Sequence, residues 1–368
     1  MERRCAFIVI DSGFSHEVLR RSRKVLACWD LSQDRPLIGA DYLAPQELDS
    51  FAGDPLNHGS IVLSRLLDRC PDAPLVLVKA FDYNSIQRTV WRNGQIVRPG
   101  WSEAYVWAVE LCRERNLSSV ANCSFGGFQH AMDGSGWEAE QLKRVTGPGR
   151  AGHVLVAAAG PGDGRAQHAQ FMLLGGDEKT FVADQDGTGE YNLWFGLGQK
   201  HGRKNRWQLE VDLNGRTLFA KWSGEVGENI WNERQQFKFT VEGSGRVQIR
   251  VKRSSSQKCA DESCALKVDC WTVDGWFHNY VSPLLVSEPA CFPHVLAVGL
   301  RTLQYNPFQT QAGEKPDVLL GGSEQISFRT PEVTAAVNHL LAQDPGMDLE
   351  QVKSILGKYP DPGLLSET

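Results

Sequence analysis

Three residues able to do nucleophilic and acid–base chemistry stand at element ends in this 368-residue sequence. Ser327 opens the stretch Ser327-Phe328-Arg329-Thr330-Pro331, which heads an apolar-periodic run from Val333 to Leu341. Proline suits the first turn of a helix, where its missing N–H would be unpaired anyway. The spacing therefore predicts Ser327 at or just before a helix N-terminus. Free N–H groups and the helix dipole favour negative charge there, the setting a nucleophilic serine needs. The plainer reading is an N-cap, a role serine often fills. Asp11 ends the continuous apolar run Ala6-Phe7-Ile8-Val9-Ile10, within Asp11-Ser12-Gly13. Such a run reads as a strand buried on both faces. Open α/β sheets place their sites at the carboxyl ends of such strands, although turns favour the same residues. His58 lies in Asn57-His58-Gly59-Ser60, which opens the helical pattern Ile61 to Arg69. Alone, it is a polar first-turn residue.

The elements that must carry these residues follow from periodicity. A further strand is expected at Lys24 to Asp30, and a polar loop from Asp41 to Asp54. Pro74 to Asp82 reads as a buried strand and Ser102 to Arg115 as an amphipathic helix. Val120 begins a strand that ends in Ser124-Phe125-Gly126-Gly127, whose glycines let another backbone come close. A helix at Glu138 to Arg144 precedes a buried strand, His153 to Ala159, which Gly160-Pro161-Gly162 terminates. Strands alternating with helices at this spacing predict a mostly parallel α/β sheet.

From about Gln167 the pattern changes to short alternating strands separated by Gly, Asn and Asp turns, Asn214-Gly215 being a strong hairpin signal. This predicts an antiparallel β-sandwich, jelly-roll-like, without helices. Asp184-Gln185-Asp186-Gly187 has a hint of calcium-loop spacing without the full ligand pattern, and reads as a turn. The α/β pattern resumes at Val295 to Gly299, then Lys315 to Val318, the helix after Ser327, and a last helix from Leu349 to Leu356. The expected organisation is an α/β domain in two parts, residues 1–166 and 285–368, with a β-sandwich inserted at 167–284.

Composition bounds the partners. The hydrophobic fraction of 41% and charged fraction of 23% are those of a globular protein. A formal net charge of −5 gives no ground for nucleic-acid binding, and no apolar run reaches membrane-spanning length. The N-terminal apolar run is too short for a signal peptide. Nine cysteines, an odd number scattered through apolar segments, fit reduced thiols and a cytoplasmic location. Cys259 and Cys264 lack a second Cys/His pair at zinc spacing, so no metal site is expected.

These motifs, in this order, resemble those of the subtilisin-like serine proteases. Asp11-Ser12-Gly13 is similar to the family's strand-end Asp motif, and His58-Gly59-Ser60 to its His-Gly-Thr motif with Ser for Thr. Ser124-Phe125-Gly126-Gly127 resembles the family's Ser-Leu-Gly-Gly substrate-binding segment. Ser327-Phe328-Arg329-Thr330-Pro331 resembles its nucleophile segment. The resemblance covers residues 1 to about 166 and about 285 to 360, not the insert. It implies a subtilisin-like fold, a protein or peptide substrate, and no cofactor, though the family allows a structural calcium ion. It also implies an Asp11–His58–Ser327 triad, the acid, base and nucleophile falling in subtilisin order. Ser124 to Gly127 would take substrate backbone as an added strand.

Three departures accompany it. After Ala158-Ala159-Gly160 the family carries an asparagine whose amide donates to the oxyanion; here Pro161 stands there, between Gly160 and Gly162. Losing one such donor costs roughly 10²–10³ in rate. Gln325-Ile326 replaces the family's Gly-Thr before the nucleophile. Asp11 also stands at the very start of this sequence, where the family usually carries an inhibitory pro-segment ahead of it; a mature form, or a chain that folds and is restrained another way, is expected. The alternative to a serine endopeptidase is therefore a catalytically weak relative that binds a peptide or partner through the same cleft. A third reading gives the inserted sandwich a binding role of its own, through tryptophans 194, 207, 222, 231, 271 and 276.

Overall fold

A computed structural model describes residues 5–359 except 23, 83–84, 88, 93–94, 128–136, 161–165, 198–205, 226–233, 255–264, 273, 284–285 and 306–314. In chain order the first elements are β1 (Cys5–Asp11), α1 (His16–Arg21), β2 (Val25–Asp30), β3 (Leu37–Ile38), α2 (Pro45–Phe51), α3 (His58–Arg69) and β4 (Leu75–Lys79). Two small hairpins follow, β5 (Phe81–Asp82) with β6 (Ser85–Ile86) and β7 (Val90–Arg92) with β8 (Gln95–Arg98). Next come α4 (Trp101–Glu114), β9 (Ser118–Cys123), α5 (Trp137–Lys143) and β10 (His153–Ala158). After the antiparallel strands described below, the chain closes with β20 (Leu296–Leu300), β21 (Val318–Leu320), α6 (Ile326–Gln343) and α7 (Leu349–Leu356).

One eight-stranded sheet holds the order β21-β20-β10-β9-β1-β4-β2-β3. Its strands pair in parallel except at the β2–β3 edge. Period-two alternation splits each central strand between two cores. Phe7 and Val9 of β1 face the layer holding Val62, Leu63 and Leu66 of α3 and Val333 and Val337 of α6. Ala6, Ile8 and Ile10 face Ala104, Tyr105 and Ala108 of α4 and Leu142 of α5. Burial on both faces explains why these strands read as unbroken apolar runs.

Between β10 and β20 the chain forms β11 (His168–Leu173), β12 (Glu178–Gln185), β13 (Gly189–Leu197), β14 (Arg206–Leu213), β15 (Arg216–Glu225), β16 (Arg234–Val241), β17 (Gly245–Arg253), β18 (Leu266–Thr272) and β19 (Gly275–Phe277). They make two antiparallel sheets, β11-β18-β13-β16 and β15-β14-β17-β12-β19. Inward residues of both sheets share one apolar core, with Phe171 of β11 stacked on Phe181 of β12 at 4.2 Å between ring centroids. This is the sheet-on-sheet packing that period-two patterning demands.

Several local expectations change. The expected polar loop from Asp41 to Asp54 contains α2, with Pro45 at its start and the Glu47 carboxylate accepting the Ala44 N–H. Only Leu48 and Phe51 of that helix are buried, too few apolar anchors for a periodic signal. Pro331 does not begin a helix: α6 already runs from Ile326, with Pro331 inside it and Gln325 as N-cap. Trp194 and Trp271 are buried, not presented to a ligand. Trp276 is half-buried, and the side chains of tryptophans 207, 222 and 231 fall outside the described residues. Seven described cysteines are buried, whereas Cys259 and Cys264 lie outside the described residues.

Candidate active site

Asp11 is the last residue of β1, a strand fixed by parallel neighbours on both sides. Its side chain is fully buried, and Oδ1 accepts the Ser12 backbone N–H at 2.7 Å. The same oxygen lies 2.7 Å from His58 Nδ1. His58 is the first residue of α3, following Asn57 in the left-handed region at φ 53°. It sits there because the start of α3 is bonded to the end of β1. Ser12 Oγ accepts the Gly59 N–H at 3.1 Å and donates to Asp54 Oδ1 at 2.7 Å. Asp54 Oδ2 accepts the Ser60 N–H at 2.8 Å and the Ser60 hydroxyl at 2.6 Å. An acid on the first turn satisfies free N–H groups and complements the helix dipole. Asp54 and Ser12 thus hold His58 beside Asp11. Sequence reading passed over both, although an Asp just ahead of a helix is a recognisable capping signal.

His58 is one-quarter exposed. Burial disfavours its imidazolium and is the largest single influence; the Asp11 hydrogen bond and the charges of Asp11 and Asp54 together outweigh it. The net result is a pKa above the ordinary histidine value of 6.5.

Ser327 is half-buried in the first turn of α6. The ring of the next residue, Phe328, packs against the His58 imidazole with centroids 5.2 Å apart. The turn that carries Ser327 and the histidine are therefore neighbours. Pro331 has no N–H to offer the Ser327 carbonyl four residues back. Two hydroxyls of the same helix bond other carbonyls: Thr330 that of Ile326 at 2.8 Å and Thr334 that of Thr330 at 3.1 Å. The Thr334 hydroxyl also lies 2.9 Å from Asn122 Oδ1, and Asn122 Nδ2 donates to Ser124 Oγ at 2.9 Å. Asn122 and Thr334 carry no motif signal, yet they join α6 to the segment Ser124 to Gly127.

In that segment Ser124 is buried, and Phe125 packs edge-on against Phe81 and Trp101. Gly127 exchanges two backbone hydrogen bonds with Glu288, at 3.1 and 3.0 Å. A β-carbon on Gly126 would fall 2.1 Å from Ser287 Oγ. The room these glycines leave is used on that side by the chain's own Ser287 and Glu288. Gly160 is buried with φ 141°, while Pro161 and Gly162 lie outside the described residues. Among the described residues no group of three or more His, Cys, Asp or Glu is arranged to hold a metal ion.

The chain is similar in structure to the Clostridium perfringens CspB protease, with a TM-score of 0.64 over 98% of this chain and 90% of that one, at 15% identity. The fold is subtilisin-like. A cold-adapted subtilisin-like serine proteinase aligns over 97% of this chain and 82% of its own at 12% identity, with a TM-score of 0.38. A CBM51 from Clostridium perfringens GH95, solved with methyl-galactose, aligns over 28% of this chain and 91% of its own at 11% identity, with a TM-score of 0.19. Those two superpositions are too loose to carry an argument. No protein-family model and no curated protein matches the chain. At such identities likeness speaks for the subtilisin-like fold alone, and residue roles rest on the geometry of the site.

Proposed function

We infer that this chain is a serine endopeptidase working through Asp11, His58 and Ser327. One observation carries the reading: His58 is held on Asp11 at 2.7 Å while its ring packs on the residue that follows Ser327. A subtilisin-like fold agrees with it. Ser327 Oγ attacks the peptide carbonyl carbon and its proton passes to His58 Nε2. The C–N bond then breaks as His58 returns that proton to the leaving amine, leaving an ester on Ser327. Water hydrolyses the ester with the same base. Asp11 accepts the Nδ1–H, fixing the tautomer and stabilising the transient imidazolium. The Ser327 backbone N–H, in the first turn of α6, is one oxyanion donor. Pro161 supplies neither a side-chain donor nor its own N–H, so the reaction is slow unless a neighbour replaces it.

A second reading, a catalytically weak relative that holds a peptide or partner in this cleft, draws on two features. Pro161 lacks the donor, and Gly127 already has Glu288 as a backbone partner. Labelling with a fluorophosphonate probe separates the two. The enzyme is labelled at Ser327, and Ser327→Ala and His58→Ala abolish labelling with the fold intact. Undiminished labelling of Ser327→Ala sinks the assignment. Residues 167–284 are read as an inserted unit offering a second surface to a protein partner. Failure of limited proteolysis to release a compact fragment of that size counts against the unit.

A further inference from the structure

Phe328 is gripped from two sides. One side is the His58 ring, at 5.2 Å between centroids. The other is Arg65, whose guanidinium carbon lies 5.4 Å from the Phe328 ring centroid. Arg65 follows His58 by seven residues on α3, two turns along the same helix face. Its Nη1 donates to the Phe328 carbonyl at 2.8 Å and to Glu324 Oε2 at 3.0 Å, while Nη2 donates to Glu324 Oε1. Glu324 precedes α6, so one side chain holds both the approach to the helix and its first turn. The fork holds the Glu324 carboxyl below its usual range. Planar, two-point recognition of a carboxylate fixes geometry as well as charge. Ser327 lies within the clamped stretch, between Glu324 and Phe328.

We propose that Arg65 is a positioning residue: through Glu324 and Phe328 it ties the Ser327 turn to the helix that carries His58. This rests on the proteolytic reading above. The role differs from tuning the base, because Asp11 and Asp54, not Arg65, supply the charges acting on His58. It differs from substrate binding, because the guanidinium is spent on the chain's own carboxylate and carbonyl.

The test uses the full chain in two arms. In the first, the fluorophosphonate probe is titrated to separate the maximal labelling rate from the half-saturating concentration. Arg65→Ala and Glu324→Gln each lower the maximal rate about tenfold or more, since a misplacement of about 1 Å can cost 10²-fold. Half-saturation and the pH midpoint stay in place. Arg65→Lys, which keeps the charge but loses the fork, recovers part of the rate. A shifted pH midpoint would instead mark Arg65 as an electrostatic residue and overturn the proposal. In the second arm, NMR of isotope-labelled histidine, assigned with His58→Gln, follows the ring-current shift that Phe328 imposes on His58. Arg65→Ala collapses that shift. If the shift is unchanged, Arg65 does not tether the turn; if it collapses while the labelling rate does not fall, the tether is there but does not position Ser327 for reaction, and either result overturns the proposal. A wild type that the probe never labels removes the proteolytic reading, and the NMR arm then decides the tether alone.

Discussion

Gly59 lies so close to Asp11 that a β-carbon on it would stand 2.9 Å from Asp11 Cβ and 3.0 Å from Asp11 Oδ1. It would also meet the Gly13 carbonyl oxygen at 2.3 Å, so backbone as well as side chain must yield. The glycine beside His58 is what allows α3 to sit on the end of β1. Gly59→Ala is therefore expected to part base from acid. Labelling of Ser327 should fall on the order of 10²-fold, the cost of misplacement by about 1 Å. Stopped-time labelling beside a melting curve checks this; full-rate labelling of a stable Gly59→Ala protein contradicts the arrangement.

The raised pKa of His58 sets two opposed pH dependences. The fold favours the imidazolium, so the stability His58 contributes is complete below the unfolded value of about 6.5. It is lost as pH rises through the higher folded pKa. The proposed mechanism needs the neutral ring, so activity is expected to rise across that same window. Asp54→Asn removes one of the charges that raise the pKa. The acid limb of the labelling-rate profile should move to lower pH in this variant. An unmoved limb would mean that Asp54 acts only as a helix cap.

Ser287 occupies the space over Gly126, which gives a paired test. Gly126→Ala drives a methyl into Ser287 Oγ and Cβ, at 2.1 and 2.7 Å, and should destabilise the protein by ~1–3 kcal/mol as overpacking does. Ser287→Gly removes both clashing atoms. The double variant should then recover most of the loss, a coupling that a double-mutant cycle in denaturant measures. Additive losses would show that the two residues do not meet.

Pro161→Asn restores the side-chain donor that the sequence lacks. It is expected to raise kcat by up to ~10²-fold with little change in KM. Gly162, next in the sequence, carries the first N–H after Pro161. If the wild type already turns over a peptide at ordinary protease rates and the variant gains nothing, a replacement donor is in place.

Motif residues were legible in sequence where backbone geometry forces a residue type. Gly59 against the end of β1 is the example. The buried strands were legible too, because burial on both faces leaves unbroken apolar runs. Helix boundaries were less so. The apolar pattern of α3 begins only at Ile61, yet His58 stands in its first turn as expected, and Asp54 and Ser12 bond that turn from outside the helix. Likewise Pro331 pointed to a helix start, whereas α6 begins at Ile326 and carries Pro331 inside it. Arg65, Glu324, Asn122 and Thr334 were invisible for a different reason. Their partners lie far off in the chain, up to 263 residues away for Arg65 and Phe328, and no local pattern encodes such a pairing.

β10 and β20 lie side by side in the main sheet, in register from Val156 with Leu296 to Ala158 with Val298, although the whole antiparallel body separates them in the chain. Covalent continuity through that body is thus not what joins the two halves of the sheet; a ladder of backbone bonds and the shared core do. A chain cut within the body would be a two-piece protein, with Asp11 and His58 on one fragment and Ser327 on the other. On the proposed mechanism neither piece alone would acylate, and the cut itself would leave all three side chains where they were. Halves made separately should regain labelling only on mixing, with a concentration dependence that reports how tightly β20, β21 and α6 grip the remainder.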